Sequence, residues 1–232
     1  MNEINEQILE VRYSPNSKII DNRGKRAEEI AEHMKMSEWR IVGNRVDVFN
    51  KENRDRTFYG FRNSGFSCNY SPTHNYFSDQ ANKYIKLIYQ FVEFGKTPFI
   101  ERIGVRSKFC NIFNGKFDEL VALYEKNYMG LTDKAKRTIN ARVVDLGAPW
   151  NFADDLGNFN THCGPMIKDQ ISQFFEYVKE ETIPDVGLFY DIDYWVRPMK
   201  EMKEQEIMTM ISKFAERIWK RNEDIKKIIL EA

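Results

Sequence analysis

The feature that most constrains this chain is a strand followed directly by a long helix. In residues 186–196 the two-residue period of a strand puts six apolar or aromatic side chains on one face. Residues 199–230 repeat Ile and Phe at helical spacing, which forms an apolar stripe that another element must cover. Burying each such side chain contributes roughly 1.5–3 kcal/mol. We therefore expect the strand face and the helix stripe to pack together.

Composition sets the size of the core and the balance of charge. The chain has 232 residues with 42% hydrophobic residues and 14% aromatic residues, enough to bury a substantial core. Its 35 Lys and Arg residues equal its 35 Asp and Glu residues, so no excess of positive charge favours a polyanion partner. A nucleic acid partner is therefore less favoured, although a chain of zero net charge can still bind nucleic acid through a local basic face.

The cysteines and the apolar runs indicate the compartment. Cys68, Cys110 and Cys163 are widely spaced, odd in number and without a CxxC pair, which is typical of a reducing environment. The first residues are polar and acidic, and no run approaches the roughly 18 apolar residues that suggest a membrane span. The sequence predicts a cytoplasmic protein without a membrane partner.

Hydrophobic periodicity divides the chain into strands and helices. In the first part it predicts strands at 8–13, 38–42, 45–49 and within 56–70, and helices at 23–36 and 75–94. In the second part it predicts strands at 99–109, 137–146, 159–167, 171–179 and 186–196, and helices at 116–128 and 199–230. Residues 147–157 are rich in turn formers and are predicted to be a loop or connecting hairpin, the best loop candidate for function.

Both parts run in the order strand, helix, several strands, long helix. We therefore predict an α+β fold of two similar β-α-β(3-4)-α halves, residues 1–96 and 97–232, with antiparallel sheets packed by long helices in one compact unit. The sequence echo between the halves is limited to comparisons such as Glu10-Val-Arg12 with Arg102-Ile-Gly-Val-Arg106. Descent by duplication is left open, because convergent patterning produces the same echo.

Three stretches carry a resemblance to a known family: the strand Glu10-Val-Arg-Tyr13, the strand Arg102-Ile-Gly-Val-Arg106, and Leu188-Phe-Tyr-Asp-Ile-Asp193 with its terminal helix. In this order they resemble a sporadically distributed family of uncharacterised prokaryotic proteins. The order of elements is also similar to TATA-binding-protein-like and helix-grip folds, in which a long helix grips a curved sheet. The resemblance implies an accessory role, for instance in mobile-element or phage conflict, and transfers no catalytic residues.

Asp191 and Asp193 are the sharpest chemical candidates. As alternate residues of one strand they project to the same side, where two carboxylates can hold a divalent cation. The string resembles the metal-binding strand of nucleotidyl-transferring palm and primase-like enzymes, without their Ser-x-His string or phosphate loop. The favoured interpretation is a polar sheet face on which these aspartates pair with Arg102 and Arg106 of a neighbouring strand.

Two further groups offer weaker chemistry. His162 and Cys163 are adjacent, but neighbouring residues of a strand point to opposite faces, so the histidine is badly placed to activate the thiol. A basic saddle of Arg102, Arg106 and Lys108, with Arg12, Arg45 and Arg62 from other strands, would suit phosphate or an acidic peptide. Pairing with nearby aspartates is the favoured alternative.

These observations favour a binding or interaction module over an enzyme. The expected working surface combines the polar sheet face with residues 147–165, and its candidate residues are Arg102, Arg106, Asp191, Asp193, Trp195 and His162. The expected partner is an unknown protein or small ligand, no cofactor is required, and an exposed sheet edge would favour a homo-oligomer. The alternative is a metal-dependent phosphotransfer or nucleic acid enzyme that binds a divalent metal at Asp191 and Asp193.

Overall fold

The core of the protein lies between one large antiparallel sheet and the helices on one of its faces. A computed structural model describes residues 3–52, 55–130, 132–139, 143–175 and 178–230. In these ranges the strands are β1 (Glu3–Tyr13), β2 (Glu38–Val42), β3 (Arg45–Phe49), β4 (Arg56–Gly60), β5 (Asn63–Cys68), β6 (Phe99–Ile112), β7 (Ala148–Ala153), β8 (Asn158–Ile167), β9 (Val186–Val196) and β10 (Lys200–Glu201).

The helices are α1 (Lys18–Asp21), α2 (Arg23–Met34), α3 (His74–Gln90), α4 (Phe117–Asn127), α5 (Asp133–Ile139), α6 (Lys168–Ser172) and α7 (Glu204–Leu230), with a 3-10 turn at Glu180–Thr182. None of the described helices is both long enough and apolar enough to span a membrane. The α+β class predicted from the sequence is confirmed.

The described strands form a single sheet. Its order is β2-β3-β4-β5-β1-β6-β9-β8-β7, every neighbouring pair is antiparallel, and the short β10 pairs with one end of β6. The N-terminal strand β1 therefore lies in the interior of the sheet, between β5 and β6. The predicted halves meet along the β1/β6 pair and share this sheet.

Strand pairing proceeds in the same order on either side of that central pair, as β1-β5-β4-β3 on one side and β6-β9-β8-β7 on the other. This order agrees with two similar halves, because antiparallel meanders with helical connections produce it in each half. It carries no sequence evidence of common descent, so duplication stays a prediction, as does the boundary between residues 96 and 97.

Alternation along the strands separates the two faces of the sheet. On one face, side chains such as Leu9, Val105 and Tyr194 enter a core that also takes buried residues from α1, α2, α3, α4 and α7. We call this the covered face. On the opposite face a small second cluster around Phe189 is covered by α6 and the residues after it, and polar side chains occupy the centre. We call this the open face.

Many element predictions are confirmed, including the strands 38–42, 45–49 and 186–196 at both ends. Other boundaries move. The terminal helix begins at Glu204, since Lys200–Glu201 extend the sheet. Within residues 56–70 the strands are Arg56–Gly60 and Asn63–Cys68. The helix predicted from residue 75 begins one residue earlier, where the Thr73 hydroxyl accepts a hydrogen bond from the Tyr76 amide at 3.2 Å.

Two predicted strands are wrong. Residues 137–139 of the predicted strand 137–146 end helix α5, residues 140–142 lie outside the described residues, and Ile139, expected inside, is 58% exposed. The Thr132 hydroxyl accepts a hydrogen bond from the Ala135 amide at 3.2 Å and so caps the start of α5. This local start signal outweighs a weak apolar alternation.

The second wrong prediction covers residues 171–179. Residues 171–172 end helix α6, residues 173–174 form a turn, and residues 176–177 lie outside the described residues. Ile171 and Phe175, four residues apart, are both buried in the cluster around Phe189. That spacing suits a helical turn, and a short apolar run does not distinguish it from a strand.

Candidate functional site

The open face carries a row of ion pairs between the two central strands and β9. Strand register places Arg106 beside Asp193 and Lys108 beside Asp191, while the side chains reach diagonally to other partners. The pairs are Arg102 with Asp193 and Glu10, Arg106 with Asp191, and Lys108 with Glu6. We call these residues the ion-pair ladder.

Arg102 is the centre of the ladder. Its Nη2 donates to Asp193 Oδ2 at 2.8 Å and to Oδ1 at 3.0 Å, and its Nη1 donates to Glu10 Oε2 at 3.0 Å. Gly104 makes room for it, since a Cβ at that position would lie 2.5 Å from Arg102 Nη1. The guanidinium therefore lies across the backbone of its own strand and joins β1 to β9.

Arg106 holds Asp191 with two parallel contacts. Nε donates to Oδ1 at 2.9 Å and Nη2 donates to Oδ2 at 2.5 Å, the geometry of a bidentate pair. The hydrogen bond with Asp191 raises the pKa of Arg106. The side chain of Arg106 is 44% exposed, against 14% for Arg102, so the ladder opens to solvent at Arg106.

Burial and the contacts with Arg102 act in opposite directions on the pKa of Asp193. Burial raises the pKa of Asp193, and the charge and hydrogen bonds of Arg102 oppose that rise. The carboxylate is therefore held in place against a desolvation cost.

One end of the ladder is closed. Lys108 Nζ donates to Glu6 Oε2 at 2.6 Å and to the backbone oxygen of Phe174 at 3.0 Å. Phe174 packs on Phe189, with ring centroids 4.5 Å apart. The segment after α6 thus covers the Lys108 end, and the open part of the face runs toward Arg106 and Trp195.

Trp195 and His162 flank the ladder. The Trp195 ring lies 6.0 Å from the guanidinium carbon of Arg102 and 5.1 Å from that of Arg197, within the range of cation–π contacts. His162 of β8 is the register partner of Asp191. All six candidate site residues therefore lie on one face, and their role in binding stays a prediction.

The basic saddle is compensated by carboxylates. Arg12 pairs with Glu10 at 2.9 Å and Arg45 with Asp47 at 2.8 Å, and Arg62 lies 3.9 Å from Glu101. The expected aspartate partner is found for Arg45, whereas Arg12 and Arg62 pair with glutamates that the sequence analysis did not name. The surface offers both signs of charge in alternation.

The aspartates of the ladder are engaged by guanidinium groups. Each carboxylate has both oxygens within hydrogen-bonding distance of an arginine. Among the residues that the structure describes, no group of three or more His, Cys, Asp or Glu side chains is placed to hold a metal ion. A divalent cation at Asp191 and Asp193 would have to displace Arg102 and Arg106.

His162 and Cys163 point to opposite faces, as expected. Cys163 is buried on the covered face, where burial raises the pKa of its thiol to about 12. Cys68 and Cys110 are also buried, and all three cysteines are free. The Cys163 thiol therefore stays protonated near neutral pH and is a poor nucleophile.

Sequence reasoning missed a second charged cluster, which lies at the β7–β8 turn. Asp154 accepts hydrogen bonds from the Tyr194 hydroxyl, from Arg217 Nη1 at 2.9 Å and from Arg221 Nη2 at 2.8 Å. Burial would raise the pKa of Asp154, but the hydrogen bonds from Tyr194, Leu156 and Arg221 lower it to about 2. The available signal was the spacing of Arg217 and Arg221, which places both on one face of α7.

Comparison with protein-family models and with curated proteins finds no match to this chain. The resemblance to a sporadically distributed prokaryotic family therefore stays a prediction.

Proposed function

We propose that this protein is a cytoplasmic binding module that recognises a protein partner with the open face of its sheet. The observation that carries the proposal is the ion-pair ladder. This row of alternating charges is ordered before any partner arrives, and none of the helices that the structure describes covers the centre of its sheet face. Side chains already fixed in their bound geometry lose less entropy on association.

The surroundings of the ladder suit a protein surface. Trp195 and the half-exposed Arg106 are residue types enriched in interface hot spots. At the Glu10 side of the ladder lies a concavity of about 460 Å³, lined by Glu10, Arg12 and Arg62 among others, which offers both signs of charge. A partner that presents its own carboxylates and cations can pair with this pattern.

A nucleic acid partner fits less well. Affinity for a phosphate backbone comes from cations that neutralise phosphates. Here Arg12, Arg102, Arg106 and Lys108 are each paired with a carboxylate, so a phosphate would compete with a partner already in place. An accessory role in mobile-element or phage conflict is part of the proposal and rests on the family resemblance alone.

The partner can be captured by photo-crosslinking from a residue on the open face. Asn160 is exposed on the open face, in register with Asp193, and would carry a photo-crosslinking residue, with the exposed Lys220 of α7 as the matched control position. We expect a crosslinked protein from position 160 only. Equal crosslinking from both positions would argue against this surface.

The trapped protein is then titrated against two charge-reversal variants. Arg106→Glu breaks the ladder, and Lys213→Glu makes the same charge change on an exposed site of α7. We expect at least tenfold weaker binding for Arg106→Glu, about 1.4 kcal/mol, and less than twofold for Lys213→Glu. Equal affinities of both variants would contradict the proposal.

The metal-dependent enzyme is the second candidate, supported only by the two alternate aspartates on β9. Isothermal titration with manganese separates the readings when it is repeated on Asp191→Asn/Asp193→Asn. Saturable binding that the double variant loses would favour the enzyme and overturn the binding module. We expect no saturable binding, because Arg102 and Arg106 occupy the carboxylates.

A further inference from the structure

One edge of the sheet ends in an apolar strand with a free side. In the part of the chain that the structure describes, β2 pairs with β3 and with no other strand. Its residues Trp39, Ile41 and Val42 are 42%, 50% and 40% exposed. Sheet edges are commonly protected by lysine, proline or a bulge, and β2 has none of these. Another strand can therefore add to this edge.

The backbone groups of Trp39 and Ile41 point toward the free edge. The loop that joins β2 to β3 is residues 43–44, and a loop of this length closes on a hydrogen-bonded pair, here Val42 with Arg45. Hydrogen-bonded and non-hydrogen-bonded pairs alternate along an antiparallel ladder. Trp39 and Ile41 belong to the non-hydrogen-bonded pairs, so their N–H and C=O groups face away from β3, where an added strand would pair with them.

The charges of β2 complement those of a second, antiparallel copy of the same strand. A pair of identical antiparallel strands is related by a two-fold axis. With the axis at Trp39, Glu38 of each copy lies opposite Arg40 of the other, and opposite charges stabilise such cross-strand pairs. Moving the axis by one residue sets Glu38 against Glu38 or Arg40 against Arg40, and like charges directly opposite destabilise the pair. Charge therefore selects the register centred on Trp39.

The contacts of Glu38 and Arg40 within one chain fit this arrangement. Glu38 pairs with Lys51, and Arg40 Nη2 lies 3.6 Å from Asp47 Oδ2. In the paired copies, Lys51 and Glu38 of one chain would be followed by Arg40 and Asp47 of the other. These four charges alternate in sign across the contact, so each lies beside an opposite charge.

Apolar side chains of the covered face meet at the same axis. Trp39 and Ile41 are in register with Val48 and Val46, which are buried in the core on the covered face. Trp39 and Ile41 therefore project to that face as well. The two Trp39 rings would meet at the axis and cover apolar surface that is exposed in a single copy.

The opposite edge of the sheet, β7, is less suited to self-association. Pro149 has no N–H to donate, and Trp150 and Phe152 already stack on each other with centroids 6.2 Å apart. A contact of β2 with β7 of another copy would leave a free edge on each side and would grow into an open filament. A contact of β2 with β2 closes after two copies.

We propose that a second copy of this chain binds at β2, antiparallel and with Trp39 at the two-fold axis, so that one sheet continues through both copies. Strands of five residues bury a small area, so we expect a dissociation constant of about 1–100 µM. The interface shares no residue with the ion-pair ladder, so it stands or falls independently of the proposed protein partner.

The experiment is sedimentation velocity of the full chain at concentrations from about 1 to about 500 µM. We expect the wild type to pass from monomer to dimer in this range. Trp39→Lys places two ammonium groups at the axis and should weaken the dimer at least tenfold. Trp150→Lys, the same change at a residue of β7 that is 45% exposed, should alter it by less than a factor of two. Both tryptophans are exposed, so both variants are expected to fold.

Two charge variants test the register. Glu38→Arg sets like charges against Arg40 of the second copy, and Arg40→Glu sets like charges against Glu38. We expect each variant alone to dimerise at least tenfold more weakly than the wild type. An equal mixture of the two should recover dimerisation to within about threefold of the wild type, because the mixed pair restores opposite charges at both positions.

Four outcomes overturn the proposal: a wild type that stays monomeric at every concentration, a dimer that Trp39→Lys leaves intact, a dimer that Trp150→Lys weakens as much as Trp39→Lys does, or a mixture that dimerises no better than its two components. The first outcome would leave the β2 edge to an extended segment of a different protein.

Discussion

The two faces of the sheet both use arginine–carboxylate pairs, but in different surroundings. On the covered side Arg26 of α2 and Glu93, which follows α3, are 8% and 6% exposed, and Arg26 also lies over the Phe91 ring at 4.3 Å. On the open face the pairs join adjacent strands, and Arg106 reaches solvent. Arginine–carboxylate pairs on the covered side therefore attach helices to the rest of the fold. Those on the open face lie between strands that backbone hydrogen bonds already join, so their main effect is to set the arrangement of charges on the surface.

The largest expected effect comes from breaking the covered pair. In Glu93→Gln the buried Arg26 keeps, among the described residues, only Glu29 as an ionic partner, so its charge is poorly compensated. We expect the free energy of unfolding in urea to fall by about 3 kcal/mol. Glu28→Gln, at an exposed site of α2, is the control and should change it by less than about 0.5 kcal/mol. Similar losses in both would erase the proposed difference between the faces.

Asp154→Asn tests the second covered cluster. The carboxylate accepts from Tyr194, Arg217 and Arg221, and an amide accepts fewer and weaker bonds. We expect a loss of about 2 kcal/mol by thermal or urea unfolding. Asp155→Asn, whose carboxylate is 72% exposed, should lose little, and a loss equal to that of Asp154→Asn would disprove the assignment.

The same cluster predicts a pH dependence. The pKa of Asp154 is lowered to about 2 in the folded protein, below the value of about 3.9 expected in the unfolded chain. Its contribution is therefore fully present above about pH 4 and is lost as the pH falls toward 2. Urea unfolding at pH 5, 4 and 3 should show a steeper loss for the wild type than for Asp154→Asn. Parallel curves would show that this carboxylate is not the group responsible.

The smallest effect is expected on the open face. In Asp193→Asn, Arg102 keeps its contact with Glu10, and the variant avoids burying a carboxylate whose pKa burial already raises. We expect the free energy of unfolding to change by less than about 1 kcal/mol. A loss as large as that of Glu93→Gln would show that the ladder stabilises the fold as much as the covered pair does.

The residues that share the open face could be predicted from the sequence, because their grouping depends only on the alternation of side chains along a strand. Strand alternation alone places Asp191 with Asp193 and Arg102 with Arg106, and only the adjacency of β6 and β9 had to be assumed. The covered clusters were not readable in the same way. Asp154 lies 63 residues before Arg217 in the chain, and no local pattern specifies that contact.

The two wrong strands show the limit of periodicity. Around Ile139 and Ile171 the apolar runs are short and fit both the strand period and the helix period. Helix start signals and burial in the tertiary structure therefore decide which element forms. The local signals available were Thr132 and Gln170. Their side-chain oxygens accept hydrogen bonds from the backbone amides of Ala135 and Ile167, respectively.

The central position of β1 has a consequence for the order of events during synthesis. One edge of β1 pairs with residues 63–68, but the other waits for β6, residues 99–112. At roughly 5–20 residues per second, the 44 residues from the end of β5 at Cys68 to the end of β6 at Ile112 take on the order of 2–9 s to be made. During that interval a nascent first half would carry an unpaired eleven-residue strand edge, the kind of template on which neighbouring chains associate.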